Sequence, residues 1–293
     1  MIRFRSLRSG SSGNLLLLEY KAPATHTSPG RRNGTSTRLL IDCGIRSQRD
    51  TLRILESEVG LADPPAGVLV THAHSDHINY ASLRVLDRLR IPVYAHQQTV
   101  REIRHRYLHP SRVPASADFS GLELRGFGGR PEERFEIGPL SILPIRVPHA
   151  PGVTTHAFAI EVAATRQRVL IASDFHDPEA VVPHIYDTDL VYLESNHDLD
   201  LLRRYWNPSS LYHLPNPAAG LLLSHTLERS RRPPEAIVLA HLSQERNRPE
   251  LALETVRRAL EEAGLAADVQ LTVAGRHIAS ADILLVPEDR MRP

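Results

Sequence analysis

The chain has 293 residues, enough for one large α/β domain or two small ones, and with 41% hydrophobic and 24% charged residues it is neither wholly disordered nor fibrous. Its 35 basic and 34 acidic residues leave a net charge of +1, which excludes the one-sided field of a histone-like binder, so any nucleic-acid contact must be local. Cys43 is the single cysteine and excludes an internal disulfide, and the apolar stretch near the N-terminus is too short for a signal or membrane span, so a cytoplasmic protein with no membrane partner is expected. Lys21 is the only lysine, so 34 of the 35 basic residues are arginine, which reads first as composition bias. The one compositional excess is 16 histidines, and histidine is the commonest metal ligand.

In chain order, short Val/Ile/Leu-rich runs at Ile2–Leu7, Asn14–Glu19, Thr37–Ile41 and Gly67–Val70 read as strands. Residues 22–36 carry the turn formers of an exposed loop. Helical spacing covers Ser47–Val59, Ala81–Leu89 and Thr99–Tyr107, and the section Phe135–Ile171 reads as all-β with turns at Gly138–Pro139 and Ala164–Gln167. Strands return at Leu190–Leu193, Ala236–Leu239 and Val269–Val273, with a loop over 206–217 and a helix over Pro249–Ala263. Two β-rich halves, each followed by helices, suggest sheets packed face to face with helices outside.

Immediately after the strand Gly67–Val70, "THAHSDH" places His72, His74, Asp76 and His77 within six residues. In a turning loop His72 and His74 can point to one side while Asp76 and His77 come round to another, so one loop can serve two adjacent ions. It supplies four of about seven ligands that two ions need, and His149, Asp174 and His241, each following a strand, are candidates for the rest. The polar turn from Ser9 to Asn14 reads either as a contact with this edge or substrate backbone or as a plain hairpin turn. The turn is not a phosphate-binding P-loop, because no Gly-Lys-Ser/Thr follows it. Cys43 reads as a small buried hydrophobe.

"THAHSDH", preceded by "LLIDCGI" and followed by "VPHA", "IASDF" and "LAHLSQERNRPELA", resembles the metallo-β-lactamase superfamily over nearly the whole chain. "LRSGSSGN", "YLESNHD" and "HLSQERNRPELA" are similar to its YycJ (WalJ) type branch, regarded as DNA exonucleases. The resemblance implies one domain over 1–293 with an αβ/βα four-layer sandwich, two mixed β-sheets flanked by helices. It further implies that His72, His74 and His149 hold one divalent ion, Asp76, His77 and His241 a second, and that Asp174 bridges them and Asp42 supports the histidine loop by hydrogen bonds. The pair would activate a shared water for attack on phosphodiesters. An imidazole and carboxylate set does not choose between Zn²⁺ and Mn²⁺ and leaves Fe²⁺ open. Asp76 and Asp174 would thus be catalytic, with His197 touching substrate or leaving group, and Ser243, Arg246, Asn247 and Arg248 binding a terminal phosphate.

Two departures from the branch bear on substrate. Gly220 to Ser224 reads Gly-Leu-Leu-Leu-Ser where a Gly-His-Leu-Ser-Asn stretch is usual, with His225 only afterwards, and Phe175 and His176 follow Asp174 in place of a small-residue turn. The leading expectation is a 5′ to 3′ DNA exonuclease. Other expectations are hydrolysis of a small ester, thioester, lactone or cyclic phosphodiester on the same metals, and a metal-bound but idle nucleic-acid-binding or regulatory protein. Only residues 175–240 separate Asp174 from His241, too few for the long insertion of ribonuclease J. Arg203, Arg204, Arg231 and Arg232 are candidates to line a path for a strand.

Overall fold

The computed structural model describes residues 1–23, 36–128, 133–265 and 269–287. Most of the expected loop over 22–36 lies outside the described residues. The strands are β1 Ile2–Arg8, β2 Leu15–Lys21, β3 Ser36–Ile41, β4 Gly67–Val70, β5 Val93–His96, β6 Leu124–Phe127, β7 Phe135–Ile137, β8 Leu140–Val147, β9 Thr155–Val162, β10 Gln167–Ala172, β11 Leu190–Glu194, β12 Ala236–Ala240, β13 Gln270–Val273 and β14 Ile283–Leu285. The helices are α1 Gln48–Ile54, α2 Tyr80–Leu89, α3 Gln97–Tyr107, α4 Val182–Ile185, α5 Leu199–Arg204, α6 Asn216–Leu227 and α7 Pro249–Glu262.

Two seven-stranded sheets form, in the orders β14-β1-β2-β3-β4-β5-β6 and β13-β12-β11-β10-β9-β8-β7. Both are mixed: β3 to β6 run parallel, as do β10 to β13, while β1, β2 and β7 to β9 pair antiparallel. β1 alternates, with Ile2 and Phe4 inward and Arg3 and Arg5 outward, whereas β4, β11 and β12 are buried at every position, as expected of parallel strands covered on both faces. Between the sheets Phe4, Leu18, Leu39 and Ile41 belong to the same core as Phe158, Ile171, Tyr192 and Val238. Burying Phe158 alone is worth about 1.5–3 kcal/mol. On the outer faces α2 packs Leu83 and Leu86 against the first sheet, and α6 and α7 pack Leu222, Leu223 and Val256 against the second. The four-layer αβ/βα sandwich is therefore present.

Elements beyond the sequence expectations include β14 and α6, along with the short β5, β6 and α4. β14 joins the first sheet by pairing antiparallel with β1 from the opposite end of the chain. α5 starts at Asp198, whose side chain accepts from the amides of Asp200 and Leu201. α6 is apolar on nearly every face because the sheet covers one side and α7 another, so it lacks the one-sided stripe of a surface helix. Gly220 permits that packing, since a Cβ there would stand 2.9 Å from the Cβ of Ala259. Among the described residues no helix is long and apolar enough to cross a membrane.

Candidate metal centre

The site forms where the carboxyl ends of strands from both sheets meet. β3 delivers Asp42, β4 the histidine loop, β8 His149, β10 Asp174, β11 Glu194 and β12 His241. Asp42, Asp174 and His241 each sit in the left-handed backbone region, with φ of 58°, 61° and 53°. Such conformations cost about 1–3 kcal/mol apiece and persist only where surrounding structure fixes them. Here each turns the chain sharply at a strand end and carries a side chain to the site. Gly44 is equally constrained, because a Cβ there would lie 1.7 Å from the carbonyl oxygen of Asp76.

His72, His74 and His149 converge so that one nitrogen of each lies within 4.8 Å of the others, and Asp76, His77 and His241 form a second such group. Asp174 stands between them. Its Oδ2 is 3.2 Å from His77 Nε2 and its Oδ1 lies 3.5 Å from His241 Nε2 and 4.0 Å from His149 Nε2. Asp76 Oδ2 is 3.7 Å from both His77 Nε2 and His241 Nε2.

The imidazoles are held by their other nitrogen. His77 Nδ1 donates to Asp42 Oδ2 at 2.7 Å, His149 Nδ1 to the carbonyl of Tyr212 at 3.1 Å, and His241 Nδ1 to Glu194 Oε1 at 3.0 Å. This fixes the tautomers and leaves each Nε2 aimed at the centre, the usual outer-shell arrangement of metal-binding histidines. Asp42 also accepts from the Thr71 amide at 2.9 Å and from its hydroxyl, which ties it to the loop it supports. The Ser9–Asn14 turn lies against the same loop. Asn14 Nδ2 is 3.1 Å from His77 Nε2, and Ser9 Oγ accepts from the amide of His241 at 2.9 Å.

The electrostatics favour cations. Burial opposes the charged form of His241, but Asp174, Asp76 and Glu194 outweigh it and raise the pKa to about 10. Burial likewise opposes charge on His77, and Asp174, Asp42 and Asp76 hold it well above 6.5. Asp174 stays ionised far below 3.8 because His241 and His77 overcome its burial. In contrast, burial and neighbouring imidazoles hold His72 and His74 below 6.5, His74 at about 4. Such neutral imidazoles are free to donate lone pairs. Asp174 Oδ2 and His241 Nε2 are buried without a hydrogen bond among the described residues, so the donor set fits divalent ions in place of the protons it otherwise collects.

A stability prediction follows for the chelated protein. A raised pKa stabilises the fold fully below the unfolded value of 6.5 and progressively less as pH rises through about 10. The metal-free chain should therefore lose melting temperature between pH 6.5 and 10. Metal should restore progressively more of it at higher pH, where no proton competes. Thermal melts with and without chelator across this range check it, and a constant gap between them would refute the cation-seeking character of the cluster.

The cavity over the centre has a volume of about 260 Å³ and is lined by His74, Asp76, His149, Asp174 and His241, together with Ser11, Asn196, Ser243 and Arg246. It is also lined by Ser209, Ser210, Tyr212 and His213 from the loop expected over 206–217, part of which is a 3₁₀ turn at Pro208–Tyr212. His213 Nδ1 donates to Glu194 Oε1 at 2.7 Å, so Glu194 serves both His241 and His213. Neither Glu194 nor His213 was singled out from sequence. The signal that could have found them is a carboxylate at the last position of an apolar strand and a histidine in the loop that follows.

Ser243 and Arg246 thus reach the cavity, while other expected substrate contacts do not. His197 is 3% exposed, is absent from the lining, and stands with its Nδ1 3.3 Å from Asn196 Oδ1. Asn247 is buried and spends its amide on Ser195 O and Asn216 Oδ1, both at 2.8 Å. With Arg248 it borders a neighbouring cavity that shares Leu242 and Ser243 with the first. The stretch 220–224 lies within α6, away from the metal cavity, with Leu221 58% exposed. Phe175 is buried in the outer core, and its amide donates to Glu194 Oε2 at 3.1 Å.

Two facing sheets with clustered histidines and aspartates at one edge define a hydrolase of the metallo-β-lactamase fold. The chain belongs to this superfamily: the family described as "Beta-lactamase superfamily domain" matches residues 37–241. It is 29% identical over 275 residues to "Exodeoxyribonuclease YycJ" of Bacillus anthracis, covering 90% of each chain. It is 25% identical over 281 residues to "Exodeoxyribonuclease WalJ" of Streptococcus pneumoniae serotype 2 (strain D39 / NCTC 7466), covering 92% of this chain and 93% of that protein. Among solved structures, the metallo-beta-lactamase fold protein YhfI from Bacillus subtilis superposes with a TM-score of 0.66 at 16% identity, covering 95% of this chain and 98% of that one. Unliganded yeast PDE1 gives the same TM-score at 15% identity, over 95% of this chain and 99% of its own. These two likenesses concern the fold.

Proposed function

We propose that the chain is a phosphodiesterase that works with two divalent ions, Zn²⁺ or Mn²⁺ with Fe²⁺ also compatible, and that its substrate is DNA, degraded from the 5′ end. The observation that carries the reading is Asp174 standing between two ligand triads, His72/His74/His149 and Asp76/His77/His241. Bound there, the ions would supply Lewis acidity and an activated water. The chain's own residues do the rest. Asp42 and Glu194 fix the orientation of ligand imidazoles, and His213, held by Glu194, faces the cavity where a leaving oxygen would emerge. Two relatives named exodeoxyribonucleases, matched along some nine-tenths of the chain, support DNA over a small ester.

For the strand end, Ser243 and Arg246 are the contacts this reading retains. Arg246 Nε is buried without a hydrogen bond, although its Nη1 pairs with Glu245 at 2.8 Å. Arg248 stands next door, and His197 and Asn247 are assigned to holding the loop. A charge-assisted contact to a terminal phosphate contributes about 1.5–3 kcal/mol, roughly 10- to 100-fold. Removing the 5′-phosphate from a DNA substrate should slow digestion by that factor, and Arg246→Gln should erase the difference. Metal analysis of the purified protein should give close to two ions per chain. Equal digestion of phosphorylated, unphosphorylated and circular DNA would refute end recognition. Rapid small-ester hydrolysis with no DNA cleavage would favour a small-molecule substrate.

A further inference from the structure

A third cavity, of about 560 Å³, lies across the Ser9–Asn14 turn from the metal centre and is lined by Arg8, Ser12, Arg46, Asp50, Arg53 and His277 among others. Consecutive residues connect the two spaces, because Ser11 lines the metal cavity and Ser12 lines this one. Arg46 adds a second link by donating to Ser75 Oγ at 3.0 Å, and Ser75 lies between His74 and Asp76.

The charges here are unbalanced. Of the nearby carboxylates, Asp50 pairs with Arg53 at 3.2 Å and Glu58 with Arg5 at 2.8 Å. Arg8 donates only to the carbonyl of Leu7 and Arg46 only to Ser75, and neither forms an ion pair with a described carboxylate. Arg8 is moreover half-buried, and burial together with the repulsion of Arg53 lowers its pKa against the weaker pull of Glu58 and Asp50. Elsewhere three of the four arginines flagged from sequence are paired: Arg203 with Asp200, Arg231 with Asp187 and Arg232 with Asp189. A cavity that keeps two guanidinium groups without a salt bridge to any described carboxylate, beside a hydrolytic centre, is arranged for an anion. No Phe, Tyr or Trp lines it to stack a base, and His277 is its single ring, so the recognition its arginines offer is of backbone phosphate.

We infer that Arg8 and Arg46 form a subsite for backbone phosphates of a single DNA strand whose scissile bond lies at the metal centre. The identity of the strand rests on the phosphodiesterase reading above. Together with Arg246 and Arg248 on the far side of the turn, the subsite gives the strand a path through the centre rather than a closed pocket.

The test is equilibrium binding of a 3′-fluorescein-labelled, phosphorothioate-linked single strand to the metal-loaded protein, read by anisotropy from about 50 to about 200 mM salt. For single strands the slope of log K against log salt is about −0.7 per phosphate contact, so Arg8→Gln/Arg46→Gln should flatten it by about 1.4 and weaken binding on the order of 10-fold at the low-salt end. The charge-matched control Arg88→Gln/Arg257→Gln, on exposed helix positions outside the cavity, should leave both unchanged. Because Arg46 is exposed, Arg46→Gln alone should flatten the slope by about 0.7 even where the double variant folds poorly. Equal slopes for both pairs, or no binding by the unmodified protein, overturn the subsite. Digestion of ordinary DNA is followed in parallel. A DNA-cleaving protein whose variant slopes do not change refutes the subsite alone. Slopes that change as expected without any DNA cleavage refute the exonuclease reading and leave the strand site standing.

Discussion

Asp174→Asn should be the most damaging single substitution in the protein, lowering hydrolysis of bis(p-nitrophenyl) phosphate by roughly 1,000-fold or more, beyond the ~10- to 100-fold typical of residues that only orient a ligand. The shape of the side chain is preserved, so the loss isolates charge and ligation. Asp174 is 2% exposed and lies within 4.0 Å of ring nitrogens of His77, His149 and His241. On the proposed two-ion reading, an amide there would take away the carboxylate between the two ligand groups and would leave two dications facing each other with less negative charge between them. Metal analysis should show occupancy falling with the rate, and excess metal should not restore the rate. Wild-type turnover in the variant would end the bridging assignment.

What could be read from the chain, and what could not, follows the distance over which each signal acts. His72, His74, Asp76 and His77 were legible because their spacing is local. His149, Asp174 and His241 were legible because the apolar strands that deliver them are continuous in sequence. Glu194 was hidden at the end of an apolar run, where a carboxylate reads as the start of the next loop; in the fold it is fully buried, and four donors satisfy it. His213 sits in a proline-rich stretch that reads as exposed loop, and only the return of that stretch over the β10 and β12 ends brings it to the cavity. β14 depends on β1, its partner from the other end of the chain, and α6 on the helix and sheet that cover it. In each case the missing information lay in the partner.

Glu194 carries the second large expected effect. Burial opposes its ionisation, yet His213 and His241 hold its pKa down to about 2, so it remains a carboxylate throughout the working range. Its Oε1 accepts from both imidazoles, at 2.7 and 3.0 Å, and its Oε2 from the amides of Phe175 and Leu214, at 3.1 and 3.2 Å. In Glu194→Gln an amide group must face either two imidazole N–H donors or two backbone N–H donors, and the clash favours the wrong tautomer or a turned ring. Hydrolysis should fall about 10- to 100-fold, with metal affinity falling alongside because His241 loses its orienting partner. His213→Ala should separate the two effects. It leaves the Glu194 to His241 bond intact, so metal content should hold while the rate drops. Combining the substitutions should cost little more in rate than Glu194→Gln alone, because both break the same Glu194 to His213 bond. Full metal content and wild-type turnover in Glu194→Gln would refute the orienting role, and losses that simply add in the double variant would show that His213 acts independently of Glu194.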